Sequence, residues 1–386
     1  MDQLLIVRSD PTSVYDLGAE HPMSPTTRAL GVELARALGV LDAPGVRETT
    51  AAPASDDVIE RVHASAYVAA VRRYSAQPIL AAAPESGTWG LHPAGDTPAF
   101  AGMHDAAAAV CGASVEAALA VWSGTARRSF APSGGLHHAL ANRAAGFCIY
   151  NDPAVAIQAL LDVGVERIAY VDVDVHHGDG VQWIFYEDPR VLTCSVHESG
   201  RTLFPGTGSL AERGVGDATG TSVNVPLPAF SGSTSYLRAF DEIIAPAVEA
   251  FAPEVIVTQN GVDPHHADPL AHLCVTLDTF PILWRRITEL ATASSSGRLV
   301  ALGGGGYNAD VVSRAFALLI AGLADIDPPD EIPAAWLERA SEAFGFDVTR
   351  SLRGDSAPAA SSEQRAAADD QADRVLADAR VIAGIR

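Results

Sequence analysis

Short runs of apolar and β-branched residues recur along this chain, separated by longer alanine-rich stretches. The short runs, at residues 4–9 (LLIVRS), 128–134 (RSFAPSG), 167–177 (RIAYVDVDVHH), 191–198 (VLTCSVHE), 223–227 (VNVPL), 254–261 (EVIVTQNG) and 297–306 (GRLVALGGGG), have the length and composition of buried strands. The stretches at 101–122, 152–164, 233–251, 279–293 and 309–324 read as helices. This alternation predicts an α/β protein, a single-domain open parallel sheet with helices on both faces. No repeat or interior linker interrupts the pattern, so one domain is expected over residues 1–350. Residues 351–386 read as an Ala/Asp-rich tether that ends in a short helix, RVLADARVIAGIR.

Composition narrows the function classes. Hydrophobic residues make up 48% of the chain and charged residues 19%, and no apolar run approaches the roughly 18 residues of a membrane span. The start MDQLLIVRSDP has neither a basic leader nor a small-residue cleavage site, so a cytoplasmic location and no membrane partner are expected. Cys111, Cys148, Cys194 and Cys274 lie far apart in apolar surroundings, which suits free thiols in a reducing compartment. The net charge of −21 argues against a nucleic-acid partner. All 26 basic residues are arginine, so lysine chemistry is unavailable.

Against this background the stretch YVDVDVHHGDG, residues 170–180, is anomalous for a core strand. Period-2 alternation puts Asp172, Asp174 and His176 on one face and Val171, Val173 and Val175 on the other. The polar file ends at the carboxyl end of a strand, where open α/β sheets place ligand sites. Asp174 and His176 suit one metal ion, with an Asp–His ion pair as the plainer alternative. Asp263, just past a second buried strand, completes a two-Asp, one-His set, unless it merely opens a turn before Pro264. Three protein ligands leave positions open, as in a catalytic site for Zn²⁺ or Fe²⁺. His137 and His138 follow a Gly-Gly turn, and Asp172 and Asp179 are available to orient them as His–Asp dyads. VALGGGGYNAD offers either a tight turn or a flexible mount for Tyr307 as a donor to an oxyanion.

Taken in order, HPMSPTTR, GDTPAF, SGGLHHA, GFCIYND, YVDVDVHHGDGVQ, SVHESGRTLFPGTG, NVPL, GVDPHHADPL and GGGGYN resemble the metal-dependent histone deacetylase family, whose fold is shared with arginase. Within the family the resemblance is to the bacterial acetoin-utilisation deacetylases, over about residues 15–325. It implies Asp174, His176 and Asp263 as metal ligands, Tyr307 at the substrate carbonyl, His138 as general acid–base, and His137 as its electrostatic partner, with Asp179 and Asp172 behind them. It also implies an acetyl-lysine tunnel at Gly146, Phe147, Phe204 and Leu270, a rim aspartate at Asp96, and a channel arginine at Arg28. A K⁺ site falls on Asp172, Asp174, His176, Ser195 and Val196, and a second on Phe185, Asp188 and Val191. Pro264, His265 and His266 depart from the small or apolar residues of the eukaryotic pattern.

The activity so implied is hydrolysis of acetyl-lysine amides on protein substrates, acyl-CoA synthetases being the first class expected. Deacetylation of acetylpolyamines is the alternative. An arginase-type dinuclear hydrolase would want an acid where Gly178 stands, and a non-catalytic acyl-lysine reader would lack a ligand or the tyrosine.

Overall fold

The structure, a computed structural model, describes residues 2–10, 12, 14–18 and 21–385. Among them, eight strands form one sheet: β1 (Asp2–Arg8), β2 (Val46–Thr50), β3 (Ala126–Ala131), β4 (Ile168–Asp172), β5 (Val191–Glu198), β6 (Ser222–Leu227), β7 (Val255–Gln259) and β8 (Leu299–Leu302). The order is β2-β1-β3-β8-β7-β4-β5-β6, with every pairing parallel. Helices cover both faces, which makes this the α/β architecture expected. Alternation within each strand divides the core: Leu4, Ile6, Ala169, Val171 and Ile256 join one buried cluster, while Leu5, Val7, Ile168, Tyr170 and Val257 join another.

Chain order and spatial order differ in a way that builds a site. β3, β8, β7 and β4 are adjacent in space although they come from distant parts of the chain, so their carboxyl-terminal loops open side by side.

Several elements depart from expectation. β4 ends at Asp172, yet the alternation continues, because Val173 N donates to Gln259 O and Glu198 N to Val175 O. Val173 and Val175 therefore still enter the hydrophobic cluster that holds Val171. β2 (VRETT) carries no apolar period because it is an edge strand paired on one side only. The helical stretch from Ser233 to Phe251 passes through a π turn at Phe240–Ile244, just before Pro246, which has no N–H to continue a regular ladder. The helix Met103–Trp122 is long and apolar enough to cross a membrane, but most of it is buried against the sheet and neighbouring helices.

The C-terminal helix is longer than expected, Ser362–Ile382, opened by a capping box between Ser361 and Gln364. It is docked along Ala368, Ala372, Leu376 and Ala379, and Asp369 and Asp373 bind Ser235 and Arg238. Apart from Leu376 this buried stripe is alanine, so the sequence lacks the strong apolar period that marks a core helix.

One buried histidine ties the fold to the loops of the site. His63 donates from Nδ1 to Leu140 O (3.1 Å) and accepts from Asn151 N at Nε2 (2.9 Å), while Asn151 Nδ2 donates to His137 O (3.0 Å) and Ala139 O (2.9 Å). Burial lowers its pKa to about 4. The unfolded chain therefore binds a proton near pH 6.5 that the folded chain refuses, and stability falls as pH drops from about 6.5 toward 4. Urea unfolding at pH 7 and pH 5 should show wild type losing about 2 kcal/mol more than His63→Gln over that interval. Equal losses in the two proteins would remove His63 as the cause.

Candidate active site

The loop after β3 carries His137 and His138, that after β4 carries Asp174 and His176, that after β7 carries Asp263, and that after β8 carries Tyr307. Asp174, His176 and Asp263 are all buried, with ligand atoms within 4.8 Å of one another. His176 Nδ1 lies 3.1 Å from Asp174 Oδ1 and 3.1 Å from Asp263 Oδ2. Neutral donors hold the carboxylates from behind: Gln259 Nε2 (2.6 Å) and Gly305 N (2.8 Å) donate to Asp174 Oδ2, and Val175 N (2.9 Å) to Asp263 Oδ1. Among the described residues no arginine bonds to either.

Burial and the adjacent Asp174 charge push the Asp263 carboxyl upward. Burial opposes a charge on His176, but its hydrogen bonds to Asp174 and Asp263 outweigh that and raise it to about 10. Two buried carboxylates and an imidazole, without a balancing arginine, form a donor set that fits a divalent cation with coordination positions to spare. The space is kept free of side chains: a Cβ on Gly305 would meet Asp263 Oδ2 at 2.1 Å and Asp174 Oδ2 at 2.7 Å, and one on Gly261 would meet Asp174 Oδ2 at 2.1 Å.

Beside this set the two histidines form a coupled pair. His137 Nδ1 donates to Asp172 Oδ2 (2.7 Å), His138 Nδ1 to Asp179 Oδ1 (2.6 Å), and the Nε2 atoms face each other at 3.0 Å. Burial works against a charge on His137, but Asp172 and Asp174 overcome it and raise the pKa to about 9. Burial and then the His137 charge lower His138 to about 4. The shared proton therefore rests on His137, and His138 is the neutral partner.

Tyr307 is half-buried, and its hydroxyl has no hydrogen-bond partner among the described residues. Burial, followed by the charges of Asp263 and Asp174, holds the phenol protonated well above its ordinary range, so it keeps a proton to donate. Phe147 packs edge-on to Tyr307 (5.7 Å) and Phe204 edge-on to His138 (4.9 Å), which gives the cavity aromatic walls; Leu270 is half-buried in the loop that follows Asp263. Gly146 and Phe147 both have positive φ, +54° and +70°. Glycine is required at 146, since a Cβ would lie 2.3 Å from His138 Cδ2. Arg28 donates to Gly304 O (2.6 Å) and lines both this cavity and an adjoining one of about 260 Å³.

The remaining expected residues are placed as follows. Asp96 Oδ2 accepts from Gly146 N (3.0 Å), so it braces the cavity wall. Asp172 pairs in register with Ser195 on β5, beside Val196. Phe185, Asp188 and Val191 form a turn in which Asp188 N donates to Phe185 O and Val191 N to Asp188 O, while the Asp188 carboxylate is bound by Arg190. Sequence reasoning missed Gln259, whose only signal was a polar residue closing an apolar strand. It also missed Tyr15, which donates to Phe147 O (2.8 Å) and accepts from Ile149 N (2.9 Å). Asp152 was missed too: it accepts from Gly135 N (3.0 Å) and Leu136 N (2.8 Å) and so fixes the turn before His137.

Residues 21–323 match the histone deacetylase domain. The chain is 40% identical over 338 residues to the acetoin utilization protein AcuC of Bacillus subtilis (strain 168), covering 87% of this chain and 86% of that protein. It is 37% identical over 327 residues to AcuC of Staphylococcus xylosus, covering 84% of each.

Gly305→Ala should push the two carboxylates apart. A loss of at least tenfold in divalent-ion affinity is expected, measured by chelator competition, with the circular dichroism of the folded chain retained. Wild-type affinity in this variant would show that the carboxylates do not share an ion.

Proposed function

The chain belongs to the histone deacetylase family, and from that membership we propose that it hydrolyses the acetyl amide of acetyl-lysine side chains on proteins, releasing acetate. The observation that carries this reading is the meeting, at the foot of an aromatic-walled cavity, of the Asp174–His176–Asp263 set, the His137–His138 pair and the free Tyr307 hydroxyl. A divalent ion on the set, Zn²⁺ or Fe²⁺, supplies Lewis acidity toward the acetyl carbonyl and acidifies water.

The chain's own groups do the rest. Neutral His138, oriented by Asp179, takes the proton from the attacking water through Nε2 once that atom is released from its 3.0 Å contact with His137 Nε2, and His137 stays charged beside it. Tyr307 donates to the oxyanion. The imidazole pair returns a proton to the departing lysine amine, so no covalent acyl-enzyme is needed. Phe147 and Phe204 pack along the substrate's aliphatic stem and exclude water, with Leu270 at the entrance and Arg28 at the inner end, where acetate leaves. K⁺ at the Asp172–Ser195 position and at the Phe185–Val191 turn would stiffen the backbone under the ligands, the Asp188 side chain acting there through Arg190.

The names of the relatives favour a bacterial acetoin-utilisation context, and acyl-CoA synthetases acetylated on lysine are the protein substrates that fit it. Deacetylation of acetylpolyamines is the second reading, favoured by the net charge of −21, which attracts polycations.

Asp96 separates the two. A peptide offers backbone N–H groups to the unused lone pairs of this carboxylate, and an acetylpolyamine has none flanking its reacting group. Asp96→Ala should lower kcat/KM on an acetyl-lysine peptide by about tenfold or more and change little on an acetylated diamine. Equal losses would mean that Asp96 serves only to hold Gly146, and a wild-type preference for acetylpolyamines would reverse the substrate assignment.

A further inference from the structure

Past Asp263 the chain turns through Pro264–Asp268, and the imidazoles of His265 and His266 both meet Asp355. That residue lies in the C-terminal segment, beyond the 21–323 domain match. The three side chains have metal-like spacing, with ligand atoms within 4.8 Å. Their hydrogen bonds argue for a different role. His265 Nδ1 accepts from Ala267 N (3.1 Å), which puts its proton on Nε2, the atom that faces Asp355 at 3.1 Å. His266 Nε2 (3.2 Å), Leu277 N (2.8 Å) and Ser356 N (2.8 Å) complete the shell of the carboxylate. An ion would find a protonated nitrogen and a saturated acceptor.

What this carboxylate holds together is informative. His266 N donates to Val275 O and Val275 N to Pro264 O, so the Asp263 loop is stitched to the segment that ends at Leu277, and Asp355 grips both. The same loop supports the catalytic tyrosine: Asp268 Oδ2 accepts from Tyr307 N (2.8 Å), and Asn308 Nδ2 donates to Ala267 O (3.1 Å). Asn308 caps the helix Ala309–Leu323, and Arg314 on that helix, itself buried, donates to Gly354 O (2.5 Å) next to Asp355. The result is a closed ring: Tyr307, its helix, the C-terminal segment, the His265–His266 loop and Asp263.

We propose that Asp355 is a positioning residue that clasps the Asp263–Asp268 loop from outside and thereby keeps Asp263 and Tyr307 in register with His176. The inference rests on the metal-dependent reading above and adds the C-terminal segment as a working part of that site.

The test uses the full chain, stripped and titrated with Zn²⁺ under chelator competition, with kcat and KM on an acetyl-lysine peptide and a thermal melt. Asp355→Ala, and Asp355→Asn should the alanine variant fold poorly, should weaken Zn²⁺ binding by about tenfold and lower kcat with KM nearly unchanged. Asp355→Glu should recover most of both. Leu376→Ala, in the docked C-terminal helix, sets the baseline: it should melt earlier with Zn²⁺ affinity intact. A lower melting temperature with wild-type Zn²⁺ affinity and kcat in the Asp355 variants would reduce the clasp to ordinary stability and overturn the proposal. A second Zn²⁺ per chain, lost in Asp355→Ala, would overturn it in favour of a second metal site. A wild type that takes up no divalent ion would bring down the proposed function, and the clasp with it.

Discussion

Two carboxylates, Asp174 and Asp263, are buried almost completely and face one imidazole, with no arginine bonded to either among the described residues. Burying such charges is costly unless something positive is shared between them. Much of the surrounding architecture holds these groups in place. Backbone amides of Val175 and Gly305 and the side chain of Gln259 take the outer lone pairs, and Gly261 and Gly305 leave no side chain in the space between. The inner lone pairs converge where a divalent cation would be held, and the proposed chemistry depends on that convergence.

The sheet supplies the convergence through its strand order. Placing β8 and β7 between β3 and β4 brings four loops from distant parts of the sequence to one end of four neighbouring strands. The parallel arrangement then points all four loops the same way. The two histidines arrive already differentiated, because Asp172 and Asp174 draw the shared proton to His137 and leave His138 neutral. One fixed geometry thus brings together the groups of the proposed cation site, base and phenol donor.

The strands and the polar residues at their ends were legible in the sequence because period-2 burial and a run such as DVDVHH leave few alternatives. The alternation even predicted the valine packing beyond the end of β4, since ladder-like hydrogen bonds carry the pleat past Asp172. Edge strand β2 was illegible, because a strand paired on one side and half exposed has no apolar period. The C-terminal helix was read as mostly tether because alanine supplies its buried stripe. The roles of His265 and His266 were hidden for another reason. Their partner lies about 90 residues away at Asp355, and no local pattern announces a contact of that range. Asp96 was placed at a rim from resemblance, while its bond to Gly146 N came from the loop geometry alone.

The most direct measurement pairs metal content with acetate release from an acetyl-lysine peptide, in wild type and in Asp263→Asn. The account predicts a divalent ion on the Asp174–His176–Asp263 set in wild type. It also predicts loss of hydrolysis when that ion is chelated, recovery when Zn²⁺ or Fe²⁺ is returned, and loss of both ion and activity in Asp263→Asn. Undiminished hydrolysis in the chelated wild type, or full occupancy and turnover in Asp263→Asn, would contradict it.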